Sequence, residues 1–237
     1  MKQINNDLQK TLHRLNFQKI DINQQDVNLI WEISEDIEHG IPILKETLLE
    51  HFQNSSITAV DGIIYEILLQ SPNSEIQTFI QRQFSDGIVP LKSVKNIDYA
   101  SLQKALVNKD FLLADKLTQK KLCELAGIDQ HQRDWLYFTD VVDLPIEDLY
   151  TIDTLWRVHS WNRFGFSIQN QIWNTLKPNH EKLFTKIHWI IDQNLCRYPQ
   201  EFTWDVSAPK GHLPLFNQLR GSQALITLLS HKAWQTS

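Results

Sequence analysis

Tyr198-Pro199-Gln200-Glu201-Phe202-Thr203-Trp204-Asp205-Val206-Ser207-Ala208-Pro209-Lys210-Gly211-His212-Leu213-Pro214-Leu215-Phe216-Asn217-Gln218-Leu219-Arg220-Gly221 is the stretch on which the reading of this chain turns. It is too apolar for an ordinary surface connection, and its three prolines forbid one continuous helical ladder. Irregular segments that are also greasy usually carry a site. Lys210, His212 and Arg220 add cations to the rings of Tyr198, Phe202, Trp204 and Phe216. An aromatic loop with a few cations suits a flat, apolar, acid-bearing ligand. At ~25 cal/mol per Å2, the buried faces of such a ligand would supply most of the affinity. Arg220 at the rim would orient a carboxylate through a bidentate pair worth about 1.5–3 kcal/mol.

Outward from this loop the chain reads as helices. Pro145 starts a helix over Ile146–His159 with Leu149, Ile152, Leu155 and Trp156 on one face, and Phe164–Leu176 repeats the pattern. Tyr99–Val107 and Phe111–Ala126 are two more, the second opened by Asn108-Lys109-Asp110 and closed by Gly127. His180–Ile191 and Ser222–Ala233 complete the C-terminal part. Before the loop-bearing half, apolar spacing near 3.6 predicts short helices around Leu8–Leu15, Val27–Ile37, Ile43–Phe52, Ile57–Leu69 and Ile76–Phe84. Gly40-Ile41-Pro42, Ser71-Pro72 and Ser85-Asp86-Gly87 are read as breakers between them. The fold class is therefore all-α: a small N-terminal helical bundle over residues 1–92, then a larger helical core over 97–237 carrying a long irregular apolar loop.

Charge and tryptophan divide the chain at the same place. Residues 1–96 hold eight basic and thirteen acidic side chains, while residues 97–237 hold fifteen of each. Seven of the eight tryptophans follow residue 130. Nothing forms the basic stripe of a nucleic-acid binder. Two cysteines, Cys123 and Cys196, make neither a disulfide framework nor a metal quartet, which fits a reducing compartment. No run approaches the ~18–20 apolar residues of a membrane span. Met1–Asp7 lacks a secretory or transit-peptide composition, so the gene is expected to be read inside any organelle it serves, or a leader has been removed.

Among chemistry-bearing patterns, the nine histidines show no i, i+4 pair and no metal-binding spacing, so no metal site is expected. Glu147 and Asp148 are read as first-turn charges suited to a helix N-terminus. Asp205, Ser207 and His212 invite a hydrolase triad, but no nucleophile elbow accompanies them, and Asp205 and Ser207 are explained as turn residues.

Two strings resemble a known family. One runs from Asp134-Trp135-Leu136-Tyr137-Phe138-Thr139 through Leu149–Trp156 to Arg163-Phe164-Gly165-Phe166-Ser167-Ile168-Gln169. The other is Phe202–Pro214 continued by Asn217-Gln218-Leu219-Arg220-Gly221. Together they look like the genomes-uncoupled-four family of porphyrin-binding activators of magnesium chelatase, in its cyanobacterial or algal-plastid form with an N-terminal helical domain. The resemblance implies a cupped helical core that binds protoporphyrin IX or magnesium-protoporphyrin IX and stimulates magnesium chelatase in chlorophyll biosynthesis. The implied partner is the large porphyrin-binding subunit of that enzyme. It implies a regulator without catalysis or a required cofactor, in the plastid stroma or a cyanobacterial cytoplasm. Matching positions put Phe111, Trp135, Phe138, Val142, Tyr198, Phe202, Leu213, Leu215 and Phe216 in the cup, with Asn217 and Arg220 near the propionates. Relatives carry Arg where this chain has Gln223 and Trp where it has Tyr198, so propionate binding and ring contact are expected to be weaker here. A monomer is the default state; peripheral thylakoid association is compatible with the sequence, though no basic amphipathic helix requires it. The alternative is a helical protein-interaction module that binds no ligand.

Overall fold

The computed structural model describes residues 10, 12, 22–128, 133–176, 179–216 and 222–235. The helix expected around Leu8–Leu15 lies outside them apart from Lys10 and Leu12, and Leu12 is buried. The chain divides into two compact units, residues 1–90 with Arg157–Asn162, and Leu91–Trp156 with Arg163–Ser237.

The first unit contains α1 (Gln24–Glu35), α2 (Gly40–Gln53), α3 (Ala59–Gln70) and α4 (Ser74–Gln83). Each helix packs on the next, and α1 also meets α3. Val27, Ile30 and Ile33 of α1 face inward, but Trp31 and Ile37, expected on the same stripe, are exposed. The buried set repeats every three residues, and the chain has left the helix before Ile37. Gly40-Ile41-Pro42 does not break a helix; it opens α2, with Pro42 in the first turn, where a missing amide proton costs nothing. A Cβ on Gly40 would fall on the Ile33 carbonyl, so this close approach needs glycine. Asn23 with Asp26, and Thr58 with Asp61, form reciprocal caps at the starts of α1 and α3. Asp61 is fully buried and also meets His51 Nδ1 at 2.7 Å, a bond that raises the histidine's pKa despite burial.

The second unit begins with α5 (Ala100–Val107) and α6 (Phe111–Leu125), packed on one another. Lys109 turns the chain between them in the left-handed region, and Asp110 caps the Leu113 amide at 3.0 Å. A short helix that sequence periodicity did not announce, α7 (Phe138–Val142), comes next, then α8 (Ile146–His159) and α9 (Phe166–Thr175). The predicted face of α8 is buried throughout: Leu149, Ile152, Leu155 and Trp156 have no exposed surface. Asp148 is more than a first-turn charge. It is buried, accepts the Tyr99 hydroxyl at 2.8 Å and the Val94 amide at 3.0 Å, and so ties the start of α8 to the chain before α5.

The helix expected over His180–Ile191 stops early. α10 covers His180–Lys186, and β1 (Ile190–Ile191) then pairs antiparallel with β2 (Asn194–Leu195). His188, Asp192 and Gln193 take positive φ, which ends the helix and turns the hairpin. α11 (Gln223–Leu229) packs on α7 and α9 and leads into a single 3-10 turn, Lys232–Trp234. Among the described residues, no helix is long and apolar enough to cross a membrane.

Candidate ligand-binding site

Buried backbone polar groups need partners, so the first question about segment 198–216 is where its hydrogen bonds go. Several go inward, to side chains and backbone of the surrounding frame. Gln169 of α9, fully buried, donates through Nε2 to the carbonyls of Gly211 at 3.0 Å and Pro214 at 2.9 Å. Trp189 donates its indole proton to the His212 carbonyl at 2.8 Å, and Arg163 donates to the Ala208 carbonyl at 2.6 Å. The Gly165 amide donates to Leu213, and the Gly211 amide to Arg163. Gly211 takes φ +82°, and a Cβ there would press on the end of Ile172, so the segment lies close against the core at this point. The segment is irregular but fixed.

His212 shows how fully it is fixed. Its Nδ1 lies 2.6 Å from the Ile187 carbonyl and its Nε2 accepts the Thr203 amide at 3.2 Å, which requires the neutral ring with its proton on Nδ1. Burial holds its pKa below the ordinary histidine value. Asp205 accepts the Ser207 amide at 2.7 Å, and its bonds to Ser207 keep its own pKa low. With both imidazole nitrogens committed to backbone, His212 has no atom left to activate a serine. The hydrolase reading fails on this geometry.

The predicted site residues separate into two groups. Phe111, Leu213 and Phe216 are enclosed, and Phe202 and Leu215 nearly so. Phe111 sits between Trp156, stacked at 5.9 Å, and Phe164, edge-on at 5.5 Å; Phe216 meets Phe166 edge-on. Bonding the backbone inward draws these side chains in behind the surface. The outward group is Phe138, 43% exposed, and Val142, 54% exposed, one turn apart on α7, with Trp135 and Tyr198 partly buried. Tyr137, which sequence reasoning did not select, is 52% exposed and lies edge-on to Trp135 at 4.3 Å. Asn217 and Arg220 lie outside the described residues.

One helix holds both aromatic groups in place. Asp115 of α6 accepts the Leu215 amide at 2.7 Å. Four residues on, Gln119 donates to the Asp134 carbonyl at 2.9 Å. Residues four apart share a helix face, so α6 carries the 198–216 segment and the 133–142 segment side by side. Tyr198 is itself surrounded by Phe202 and Trp204, and Trp204 donates to the Pro199 carbonyl.

Arg133 is another residue that sequence reasoning missed. Its guanidinium pairs with Asp140 at 2.8 Å and lies over the rings of Tyr137, at 4.7 Å, and Trp135, at 5.5 Å. The pair holds the Asp140 carboxyl below its usual range, and the same carboxylate accepts the Tyr137 amide at 2.7 Å. This clasp shapes the approach to α7, and it places a cation on the exposed rings. No sequence spacing marks it, because the seven-residue interval is closed by a non-helical turn. A separate cavity of about 710 Å3 opens at the hairpin, lined by Ile191, Asn194, Leu195, Arg197 and Glu201 among others. It includes none of the predicted ring-contact residues, and its mixed charged and apolar wall suits a flat macrocycle less well than the α7 surface.

A helical frame that fixes an aromatic segment from behind, and leaves rings exposed beside it, defines an all-α ligand-binding protein. The chain belongs to the GUN4-like family, which it matches over residues 92–232, and residues 1–85 match the ARM-like repeat domain at the N-terminus of GUN4 proteins. A ycf53 protein of Porphyra purpurea is 52% identical over 210 residues, which are 86% of this chain and 88% of that one. The chloroplastic tetrapyrrole-binding protein of Arabidopsis thaliana is 38% identical over 145 residues, 57% of this chain and 55% of that one. The solved structure of GUN4 from Chlamydomonas reinhardtii superposes with TM-score 0.58 at 38% identity, covering 62% of this chain and 95% of that one.

Proposed function

We propose that this protein binds protoporphyrin IX and magnesium-protoporphyrin IX, and that in the porphyrin-bound state it stimulates magnesium chelatase through that enzyme's large porphyrin-binding subunit. On this reading it is a regulator of chlorophyll biosynthesis in the plastid stroma or a cyanobacterial cytoplasm. The observation that carries the ligand is the exposed apolar set on and before α7, Tyr137, Phe138 and Val142, on a frame already fixed by α6. Large apolar side chains grouped in this way on a surface seldom lack a binding role. A macrocycle laid on them removes both its own face and theirs from water. Family membership and the similarity to the tetrapyrrole-binding protein of Arabidopsis support a tetrapyrrole as the occupant.

Asn217 and Arg220 are the proposed propionate partners. Gln223, exposed in the first turn of α11, offers a neutral amide where relatives offer a guanidinium. The test is a titration of the full chain with each porphyrin, followed by the Soret band and by tryptophan quenching. Arg220→Ala should weaken binding about 10- to 100-fold, the equivalent of roughly 1.4–2.8 kcal/mol. Absence of any spectral change with the unaltered chain overturns the ligand, and unaltered chelatase rates with and without the protein overturn the regulatory role.

A further inference from the structure

Phe138 and Val142, the exposed pair at the centre of the porphyrin reading, stand on a helix of five residues. Helices shorter than about 12–15 residues do not persist alone in water, so α7 must be held from outside. Val141 alone of the five is buried, which makes the packing of α7 on α11 a narrow hold. Arg133 supplies another. Its Nη1 lies 2.8 Å from the Asp140 carboxylate and donates to the Trp135 carbonyl at 3.1 Å, and the same carboxylate oxygen accepts the Tyr137 amide at 2.7 Å. Asp140 is the third residue of α7, so one anion closes the first turn and one cation ties that turn to the chain before it. The guanidinium also lies over the rings of Tyr137 and Trp135, which meet each other edge-on at 4.3 Å. The bond lowers the Asp140 carboxyl and raises the Arg133 guanidinium, so both stay charged wherever porphyrin binding is measured.

We propose that Arg133 is a positioning residue of the porphyrin site: through Asp140 and the rings of Tyr137 and Trp135 it sets α7 and its exposed face in the binding pose before the macrocycle arrives. The inference rests on the porphyrin reading above. It gives Arg133 no bond to the pigment. The guanidinium charge is already matched by Asp140, and a propionate drawn to it would have to displace the carboxylate that caps the turn. Lysine cannot take its place, because an ammonium restores the ion pair but neither the planar fork nor the cover over two rings. Without Arg133 the turn and its rings are ordered only as the ligand binds, and that ordering opposes binding.

The experiment titrates the full chain with protoporphyrin IX and with its dimethyl ester, which has no free carboxylate. It compares the unaltered protein with Arg133→Gln, Arg133→Lys, Asp140→Asn and the variant carrying both Arg133→Gln and Asp140→Asn. Reordering two ring side chains and a helical turn should weaken both ligands about 5- to 50-fold in Arg133→Gln. Arg133→Lys should recover only part of that loss, and the double variant should be within about twofold of Arg133→Gln. Tm without porphyrin should fall by at most about 4 °C, because the clasp is a partly exposed ion pair. A loss seen with the acid and absent with the ester overturns the proposal, since Arg133 would then be meeting a propionate. Full recovery by Arg133→Lys, multiplying effects of the two substitutions, or unaltered affinity in Arg133→Gln overturns it too. So does a much larger fall in Tm or an unfolded Arg133→Gln protein, because the clasp would then serve the fold at large. Failure of the unaltered chain to bind either ligand removes the functional reading and this one together; binding that ignores Arg133 removes this one alone.

Discussion

Replacing Gln169 with Leu removes the crossbeam under segment 198–216 while nearly preserving side-chain volume. The structure sets the scale of the loss. Nε2 serves two buried carbonyls, at Gly211 and Pro214, and each left without a donor costs about 1–3 kcal/mol, or roughly 2–6 kcal/mol together. Against this, Oε1 of Gln169 is buried with no partner among the described residues, and deleting it returns about 1–2 kcal/mol. The net loss spans about 0–5 kcal/mol and centres near 2.5 kcal/mol. For a chain of this size each kcal/mol lowers Tm by about 2–4 °C. Urea unfolding read by tryptophan fluorescence should show the lower midpoint with an unchanged m-value. Porphyrin binding should weaken as well, because Pro214 adjoins the Leu215 amide that Asp115 holds. A Gln169→Leu protein within 0.5 kcal/mol of the original would refute the reasoning, since it would mean that those carbonyls find other donors and that the segment is not carried by α9.

Two further outcomes are expected. Phe138→Ala should weaken porphyrin binding about 5- to 30-fold, the equivalent of roughly 1–2 kcal/mol of lost apolar contact, while leaving thermal stability within about 0.5 kcal/mol, because this ring is a surface residue of the free protein. Equal losses in both assays would show that it serves the fold instead. Two of the buried histidines, His212 and His51, should respond oppositely to pH, and imidazole NMR titration checks both. His212, lowered by burial, contributes stability that is complete above its ordinary value of 6.5 and is lost as the pH falls through its folded value. His51, raised chiefly by its bond to Asp61, contributes stability that is complete below 6.5 and is lost as the pH rises through its folded value.

Helix existence was legible along most of the chain because apolar periodicity is a local property. The face of α8, the cap at Asp110 and the stop at Gly127 all follow from residues within a few positions of one another. Errors arose where a local signal had two meanings. Gly40-Ile41-Pro42 resembles a break, yet proline is equally at home in a first turn, and the approach of Ile33 requires the glycine. The apolar run through Ile191 resembles a continuing helix until left-handed residues at His188, Asp192 and Gln193 fold it into a hairpin. α7 escaped notice because five residues do not span two turns of a pattern.

The chain's own sequence determined that it is helical, where its aromatic segment lies, and which family its ordered strings belong to, since these depend on residue types at short and fixed spacing. Tertiary structure alone decided which rings face water. That outcome is set by partners far apart in the chain, Asp115 with Leu215 and Gln169 with Gly211 and Pro214, which turn the segment's backbone inward and bury Phe202, Leu213 and Phe216 with it. A side chain's apolarity says that it prefers to leave water; only long-range hydrogen bonding of its backbone says whether it does so within the protein or against a ligand.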